Sequence, residues 1–503
     1  MRKGKLIQKG IVILFFMLLF LPVPGFLEQG TAWDKSWMNA RRLGLIKNSF
    51  LLAGLSALGC MLAGLLAAMR IHNGKLRCSR KRWFFLLLAP VPYYIYALMW
   101  MYLVRMLGQF DRSIMSKAMT GLLPGVFVNI MSFLPITTGL ILTALEHHDN
   151  RLEEVAAMYA DGNRVFWKVV LPAVLPVVFA AGTLVFVLSV TDFSVPSLFQ
   201  YQTFTLEIFS EYSRGCSLGE IGILSLPLLL VVLLLVFLMG RGLRTIPVRR
   251  NRIGKNGLEI TGIQGMLGSA AVVLCVLQVT VPLAVFVFQI KDWGDLFQSL
   301  MLCGEELAVS LVIAFMAALT AVVLAGPVAV WLQKKNSFWW LLAMSPMAVP
   351  SSLIGMGLLA TVNGSVVHGL STTAYFPALG CAIKYMPFAV LIFAARARRV
   401  HREELDMAAV FAQGEWQYVT GVLLPVYRPA IYSSAALVFL LTLGEEGIGL
   451  VLMPPGYETL AVKVYNYLHY GASELVSGFC LITIVVTAGL LLLVWKMLGR
   501  KHS

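Results

Sequence analysis

Apolar runs of about twenty residues recur along the whole chain, each parted from the next by a shorter polar or charged stretch. That is the length a helix needs to cross the hydrocarbon core of a bilayer. The pattern predicts twelve spans: 11–27, 49–69, 83–104, 122–145, 169–191 and 221–239, then 265–290, 306–332, 338–360, 374–395, 425–443 and 475–497. The predicted fold class is therefore an all-α polytopic membrane protein. The first run follows a basic stretch and has the outline of a signal peptide, but no small-x-small cleavage site lies near Pro22 or Pro24. It reads as an uncleaved first helix.

Composition agrees with this reading. Of 503 residues, 59% are hydrophobic and only 13% charged, too few to cover the surface of a soluble globule. The net charge of +15 raises the question of nucleic acid, and its distribution answers it. Of the 40 Lys and Arg, 28 fall in loops on one side of the predicted membrane and 10 in loops on the other. This is the positive-inside bias of a membrane chain, and it predicts that both termini and the loops at 146–168 and 396–424 are cytoplasmic. No nucleic-acid partner is expected; the bilayer is. The seven cysteines stand singly, at 60, 78, 216, 275, 303, 381 and 480, with no spacing that frames a disulfide or a zinc site.

Between two apolar runs lies Glu154-Val-Ala-Ala-Met-Tyr-Ala-Asp-Gly162, followed by Leu171-Pro172. The pattern returns as Asp406-Met-Ala-Ala-Val-Phe-Ala-Gln-Gly414, followed by Leu424-Pro425. A repeat at half the chain length predicts two related six-span halves, 1–250 and 251–503, joined at the basic stretch Arg241–Lys255. Each insert reads as a short Ala-rich helix on the cytoplasmic face. Its small residues would admit another protein's surface close to the backbone, and its leading acid would meet Arg or Lys there. A plain amphipathic surface helix is the other reading.

The chain lacks the residues of an ATPase. Gly-Lys occurs at Gly4-Lys5, Gly74-Lys75 and Gly254-Lys255, followed by Leu, Leu and Asn, so no phosphate loop ending in Gly-Lys-Ser/Thr is present. Neither H-E-x-x-H nor G-x-S-x-G occurs. No catalytic residue, metal site or cofactor is expected in this chain, and the energy for any transport must come from a partner or an ion gradient.

The two inserts resemble the Glu-Ala-Ala loop of ABC importer permeases, roughly E-A-A-x-x-x-G followed by I-x-L-P. In that family the loop forms a coupling helix held in a cleft of the ATP-binding subunit. The resemblance implies that role for Glu154, Ala156, Ala157, Ala160 and Gly162, and for Asp406, Ala408, Ala409, Ala412 and Gly414. Pro172 and Pro425 match the terminal proline. The family's glycine falls on Ala160 and Ala412, with Gly162 and Gly414 two positions later. Over its whole length the chain is similar to the fused permeases for ferric iron, with thiamine and aminoethylphosphonate permeases as relatives. Leu452 to Gly471 and Thr191-Asp-Phe-Ser-Val-Pro196 carry that likeness.

The resemblance implies the type I ABC importer permease fold in a bacterial plasma membrane. It also implies two partners: a dimer of ABC ATPase subunits that binds ATP and Mg, and an extracytoplasmic solute-binding protein that delivers the ligand, ferric iron by this likeness. A gradient-driven secondary transporter is the rival class, and thiamine or a phosphonate the rival ligand.

Asp192 lies 20 residues after Pro172, and Glu445 lies 20 after Pro425. Each half thus places an acid where its fifth predicted span leaves the bilayer, with Glu446 beside the second. Acids at that depth are costly and often functional, so Asp192, Glu445 and Glu446 are candidates to line a translocation path; capping the helix that follows is the alternative. Lys384 is a basic residue well inside a predicted span, and a structural pairing is the favoured reading for it. Tyr465, Tyr467, His469 and Tyr470 read as interfacial aromatic belt or docking surface.

Overall fold

The computed structural model describes residues 2–27, 39–73, 91–107, 120–147, 155–244, 263–290, 293–364, 368–400, 407–408, 410, 414–470 and 473–499. Helices and loops make up all of them. The first half of the chain supplies α1 (Arg2–Phe20), α2 (Pro24–Leu27), α3 (Ala40–Asn73), α4 (Tyr93–Leu107), α5 (Leu122–His147), α6 (Gly162–Val165), α7 (Leu171–Val190), α8 (Ser194–Leu198), α9 (Phe204–Ser213) and α10 (Leu218–Arg244). The second supplies α11 (Ile263–Gln289), α12 (Trp293–Leu302), α13 (Gly304–Leu332), α14 (Ser337–Met344), α15 (Ser351–Asn363), α16 (Tyr375–Ala397), α17 (Glu415–Tyr418), α18 (Leu424–Leu443), α19 (Gly447–Leu452), α20 (Leu460–Tyr470) and α21 (Ser473–Gly499).

Among the described residues ten helices are long and apolar enough to cross a membrane, or eleven if one bent pair counts as a span. The count of twelve is not reproduced. The third predicted span, 83–104, begins in residues outside the described set, and α4 has only 15 residues. The span predicted at 338–360 is broken: Ser337–Ala348 and Ser351–Asn363 meet at 99°. Proline is the cause. Val349 precedes Pro350 and is forced out of the helical region, to φ −91° and ψ 126°, and Pro350 itself is extended.

The described chain packs as two compact units. One comprises Met1–Lys35, Phe209–Leu229 and Asp292–Ser503; the other comprises Ser36–Ile208 and Leu230–Lys291. The packing units therefore divide the chain differently from the sequence repeat, because the opening helix of each half joins the unit built mainly by the other.

In the first unit α1 lies along α13, where Gln8 donates Nε2–H to the Pro327 carbonyl at 3.2 Å and Phe16 sets its ring edge against Trp331 and Trp339. The short α2 then meets α15 backbone to backbone. A Cβ on Gly25 would stand 2.4 Å from the Gly357 carbonyl, and one on Gly357 would stand 2.4 Å from the Pro22 carbonyl. Only glycine allows that approach, and the Gly25 N–H uses it to donate to Thr361 Oγ1 at 2.9 Å.

In the other unit α11 lies along α3. Arg70 Nε donates to Ser269 Oγ at 2.9 Å, and Ala67, Leu134, Ala271 and Cys275 form a dry cluster between the helices. A second cluster, around Ile141, Leu145, Val165, Phe166 and Val170, closes the end of this unit next to the Ala-rich insert.

Candidate functional site

Both proline-headed helices are entered the same way. Phe166–Val170 and Val419–Leu423 are single π-helical turns, each between a four-residue helix (α6 or α17) and a long one (α7 or α18). Pro172 and Pro425 have no N–H to give the carbonyl four residues back, and Pro176 and Pro429 repeat the defect one turn later. The ladder widens to accommodate this: Leu171 N donates to Phe166 O, and Leu424 N to Val419 O, each five residues back.

Ahead of the first π turn, residues 155–157 make one helical turn, with Tyr159 N and Ala160 N both donating to Ala156 O at 3.1 Å. Asp161 is extended, at φ −61° and ψ 151°, and the next helix starts at Gly162. Ala156 and Ala160 turn inward and pack on the cluster around Val165 and Phe166, while Ala157 faces out. The outward face is apolar and large: Val155, Met158 at 78% exposure, Tyr159 at 86% and Trp167. In the second insert Met407, Val410 at 81% and Trp416 at 79% stand out in the same way, Ala408 is half-buried and Gly414 exposed. Glu154, Asp406, Ala409 and Ala412 lie outside the described residues. The sequence reading rested on the small residues and passed over the bulky ones between them. Val155, Met158 and Tyr159 stand at i, i+3 and i+4, the spacing that puts three side chains on one face of a helix.

The acids at the far ends of α7 and α18 are buried, Asp192 to 7%, Glu445 to 4% and Glu446 to 1% exposure. Asp192 accepts from Ser194 N at 3.0 Å on Oδ1 and from Val195 N at 3.2 Å on Oδ2, so its carboxylate caps α8. Glu445 accepts from Ile448 N at 3.2 Å on Oε1, capping α19, and from the Tyr385 hydroxyl on Oε2. Next to Tyr385, Lys384 is buried and its ammonium donates to Ser351 Oγ, at the start of α15 just past the break. One unit therefore links a broken helix, a buried cation, a tyrosine and the acid Glu445, with Glu446 next in the chain. Tyr385 and Ser351 escaped the sequence reading, because only the break and the fold bring them to those partners. The four-residue neighbourhood of Tyr465 gives less: the Tyr467 ring meets Phe479 edge-on at 5.5 Å, and the side chains of His469 and Tyr470 lie outside the described ones. Among the described residues no group of three or more His, Cys, Asp and Glu side chains is placed to hold a metal.

Each capped helix leads into an anchored one. After α8, Gln200 takes φ 52°, and α9 then docks through Phe204 N donating to Ser49 Oγ at 2.8 Å. After α19, Gly456 takes φ 87°, and α20 docks through Leu460 N donating to Ser310 Oγ at 2.8 Å.

The two proline-headed spans are thus built alike, each entered through a π turn and followed by a short helix capped by an acid. Residues 60–250 match the family described as binding-protein-dependent transport system inner membrane component. The chain is 22% identical over 354 residues to a ferric-iron transport system permease protein of Haemophilus influenzae, covering 67% of this chain and 68% of that one. It is 25% identical over 206 residues to a 2-aminoethylphosphonate transport system permease protein of Salmonella typhimurium, covering 39% and 77%. It is 27% identical over 173 residues to a molybdenum transport system permease protein of Azotobacter vinelandii, covering 30% and 76%. The chain is thus similar to permeases of binding-protein-dependent transport systems, with the family match on its first half and the ferric-iron relative reaching across two thirds of it.

Proposed function

We propose that this chain is the transmembrane subunit of an ATP-driven importer, forming the path for a ligand that an extracytoplasmic binding protein delivers. The observation that carries the reading is the pair of outward-facing apolar sets, Val155, Met158 and Tyr159 ahead of Pro172 and Met407, Val410 and Trp416 ahead of Pro425. Bulky apolar side chains held in water at about four-fifths exposure suit burial in a partner's cleft. Each turn would take one subunit of an ATPase dimer, which would bind the ATP and Mg; this chain would hold neither. The positive-inside bias supports a cytoplasmic position for both turns and for both termini. Closure of the ATPases on ATP would move the turns together and rock one repeat against the other, the alternating-access motion of repeat-built transporters.

Ferric iron is the proposed ligand, because the ferric-iron permease relative is matched over both halves. Asp192, Glu445 and Glu446 are proposed to lie on its path, their carboxylates suited to a cation. A phosphonate is the second reading, supported by the 25% identity of the aminoethylphosphonate relative. Two measurements test the proposal. Pull-down of an ABC ATPase subunit co-expressed with this chain should succeed with wild type and fail with Tyr159→Arg/Trp416→Arg; full retention would overturn the docking reading. Uptake of labelled ferric ion against labelled 2-aminoethylphosphonate, in cells carrying the complete system, decides the ligand.

A further inference from the structure

An apolar groove of about 340 Å³ opens between α13, α18 and α21, lined by Phe315 and Leu319, by Tyr432, Ala436 and Phe439, and by Leu490. Its concavity comes from alanines set among large side chains, Ala318 on α13 and Ala435 and Ala436 on α18. All three helices are long enough to span a membrane, and Phe315 and Leu319 are more than half exposed, so the groove belongs to a membrane-embedded surface.

Arg428 stands at one end of it. Arg428, Tyr432, Ala436 and Phe439 share one face of α18 at i, i+4, i+8 and i+11, which sets the arginine about 16 Å from Phe439 along the helix axis. A charged side chain inside a span is costly unless its head finds an anion or the interface. Here Nε donates to the Tyr432 hydroxyl at 2.9 Å and the guanidinium lies 5.2 Å from the ring centre, a cation–π arrangement that lays the side chain along the groove. No carboxylate among the described residues pairs with it, and none of their groups accepts from its Nη atoms.

We propose that this groove binds one anionic phospholipid, with an acyl chain between Tyr432 and Phe439 and the headgroup phosphate on the Nη groups of Arg428. The leaflet is the one on the side of the basic loops, since Arg428 follows Leu424 by one turn. Charge complementarity selects the occupant: an apolar trough alone would take any acyl chain, whereas an arginine fixed at its mouth favours a negative head. The site depends only on the chain spanning a bilayer and is independent of the import reading.

Native mass spectrometry of the full-length chain tests this, using phosphatidylglycerol and phosphatidylcholine with identical acyl chains as probes. Wild type should retain one phosphatidylglycerol about fivefold better than phosphatidylcholine, the preference expected of one arginine at an anionic headgroup. Arg428→Gln should abolish the preference while keeping a bound lipid, and Ala436→Trp should lose the retained lipid of either kind. Equal retention of the two lipids by wild type, or unchanged retention in Ala436→Trp, overturns the proposal. If Ala436→Trp does not fold, Ala435→Leu, which fills less of the groove, takes its place with the same readings.

Discussion

Glu207 receives both forks of the Arg41 guanidinium, at 2.9 and 2.8 Å on its two carboxylate oxygens. The carboxylate is 2% exposed and the guanidinium 59%, so the pair hangs α9 onto the start of α3 from the dry side. In the other unit α20 is hung on α12 and α13 by the opposite charge. Lys463 donates to Glu306 at 2.5 Å and to the Leu302 carbonyl. The helix carries the acid in one half and the base in the other. Glu207→Gln should lower stability by about 1–3 kcal/mol, since a buried group loses its charged partner. Glu207→Lys should unfold this corner, and Arg41→Glu/Glu207→Lys should recover part of the loss with Arg42 still 3.9 Å away. Thermal unfolding of detergent-solubilised protein reads all three.

Ala156 and Met158 should separate folding from docking. Ala156 packs on the Val165–Phe166 cluster, so Ala156→Leu should overpack it and cost about 1–3 kcal/mol. Met158 stands in water, so Met158→Ser should leave the melting temperature within a degree or two of wild type, roughly the spread of surface substitutions. Its effect, under the proposed function, falls on ATPase association, measured by pull-down.

The acids give a similar split. Asp192→Asn keeps an oxygen for capping, while Asp192→Ala removes the cap and should cost about 1 kcal/mol. Glu445→Gln can still accept from Ile448 N on its one carbonyl oxygen, and its amide N–H can donate to the Tyr385 hydroxyl in place of the bond lost there. If these carboxylates meet a cation on its path, Asp192→Asn and Glu445→Gln should each reduce uptake at least about tenfold, the worth of roughly 1.4 kcal/mol, at unchanged melting temperature. Wild-type uptake in both would leave them as caps alone.

Cys216 is half-exposed, while the other described cysteines are buried. Its thiol donates to Glu211 Oε2 at 3.2 Å, and that hydrogen bond, then burial and the charge of Glu211, hold its pKa above the ordinary thiol value. A raised pKa means less thiolate at a given pH, and the thiolate is what alkylates. Maleimide should therefore react slowly at neutral pH and faster as pH rises, and Glu211→Gln should speed the reaction at neutral pH. With an impermeant maleimide on intact cells the same residue reports topology: labelling from outside agrees with the predicted orientation, and labelling only after lysis reverses it.

Much of the fold was legible in the apolar runs, because spanning length is a property of each segment alone. The paired inserts and the paired acids were legible for a like reason, since a repeat is visible wherever residue types recur at a fixed distance. Pro346 and Pro350 carried a signal for the break in 338–360 that a hydropathy reading averages away. What the sequence hid is partnership. Nothing local to Gly25 says that Gly357 faces it, and nothing local to Ala156 says that it turns toward Phe166 while Tyr159 turns away. The tie between Tyr385 and Glu445 is of that kind too.

The packing of α1 has a consequence for how the protein is made. Its partners, the Pro327 carbonyl, Trp331 and Trp339, leave the ribosome some three hundred residues after it, by roughly fifteen seconds or more at ordinary elongation rates. Through that interval the first helix lacks the α13 surface it packs against. A cell that made the two sequence halves as separate chains would release each with its opening helix unmatched. Synthesis as one chain guarantees that the awaited surface always follows, once for every copy of α1.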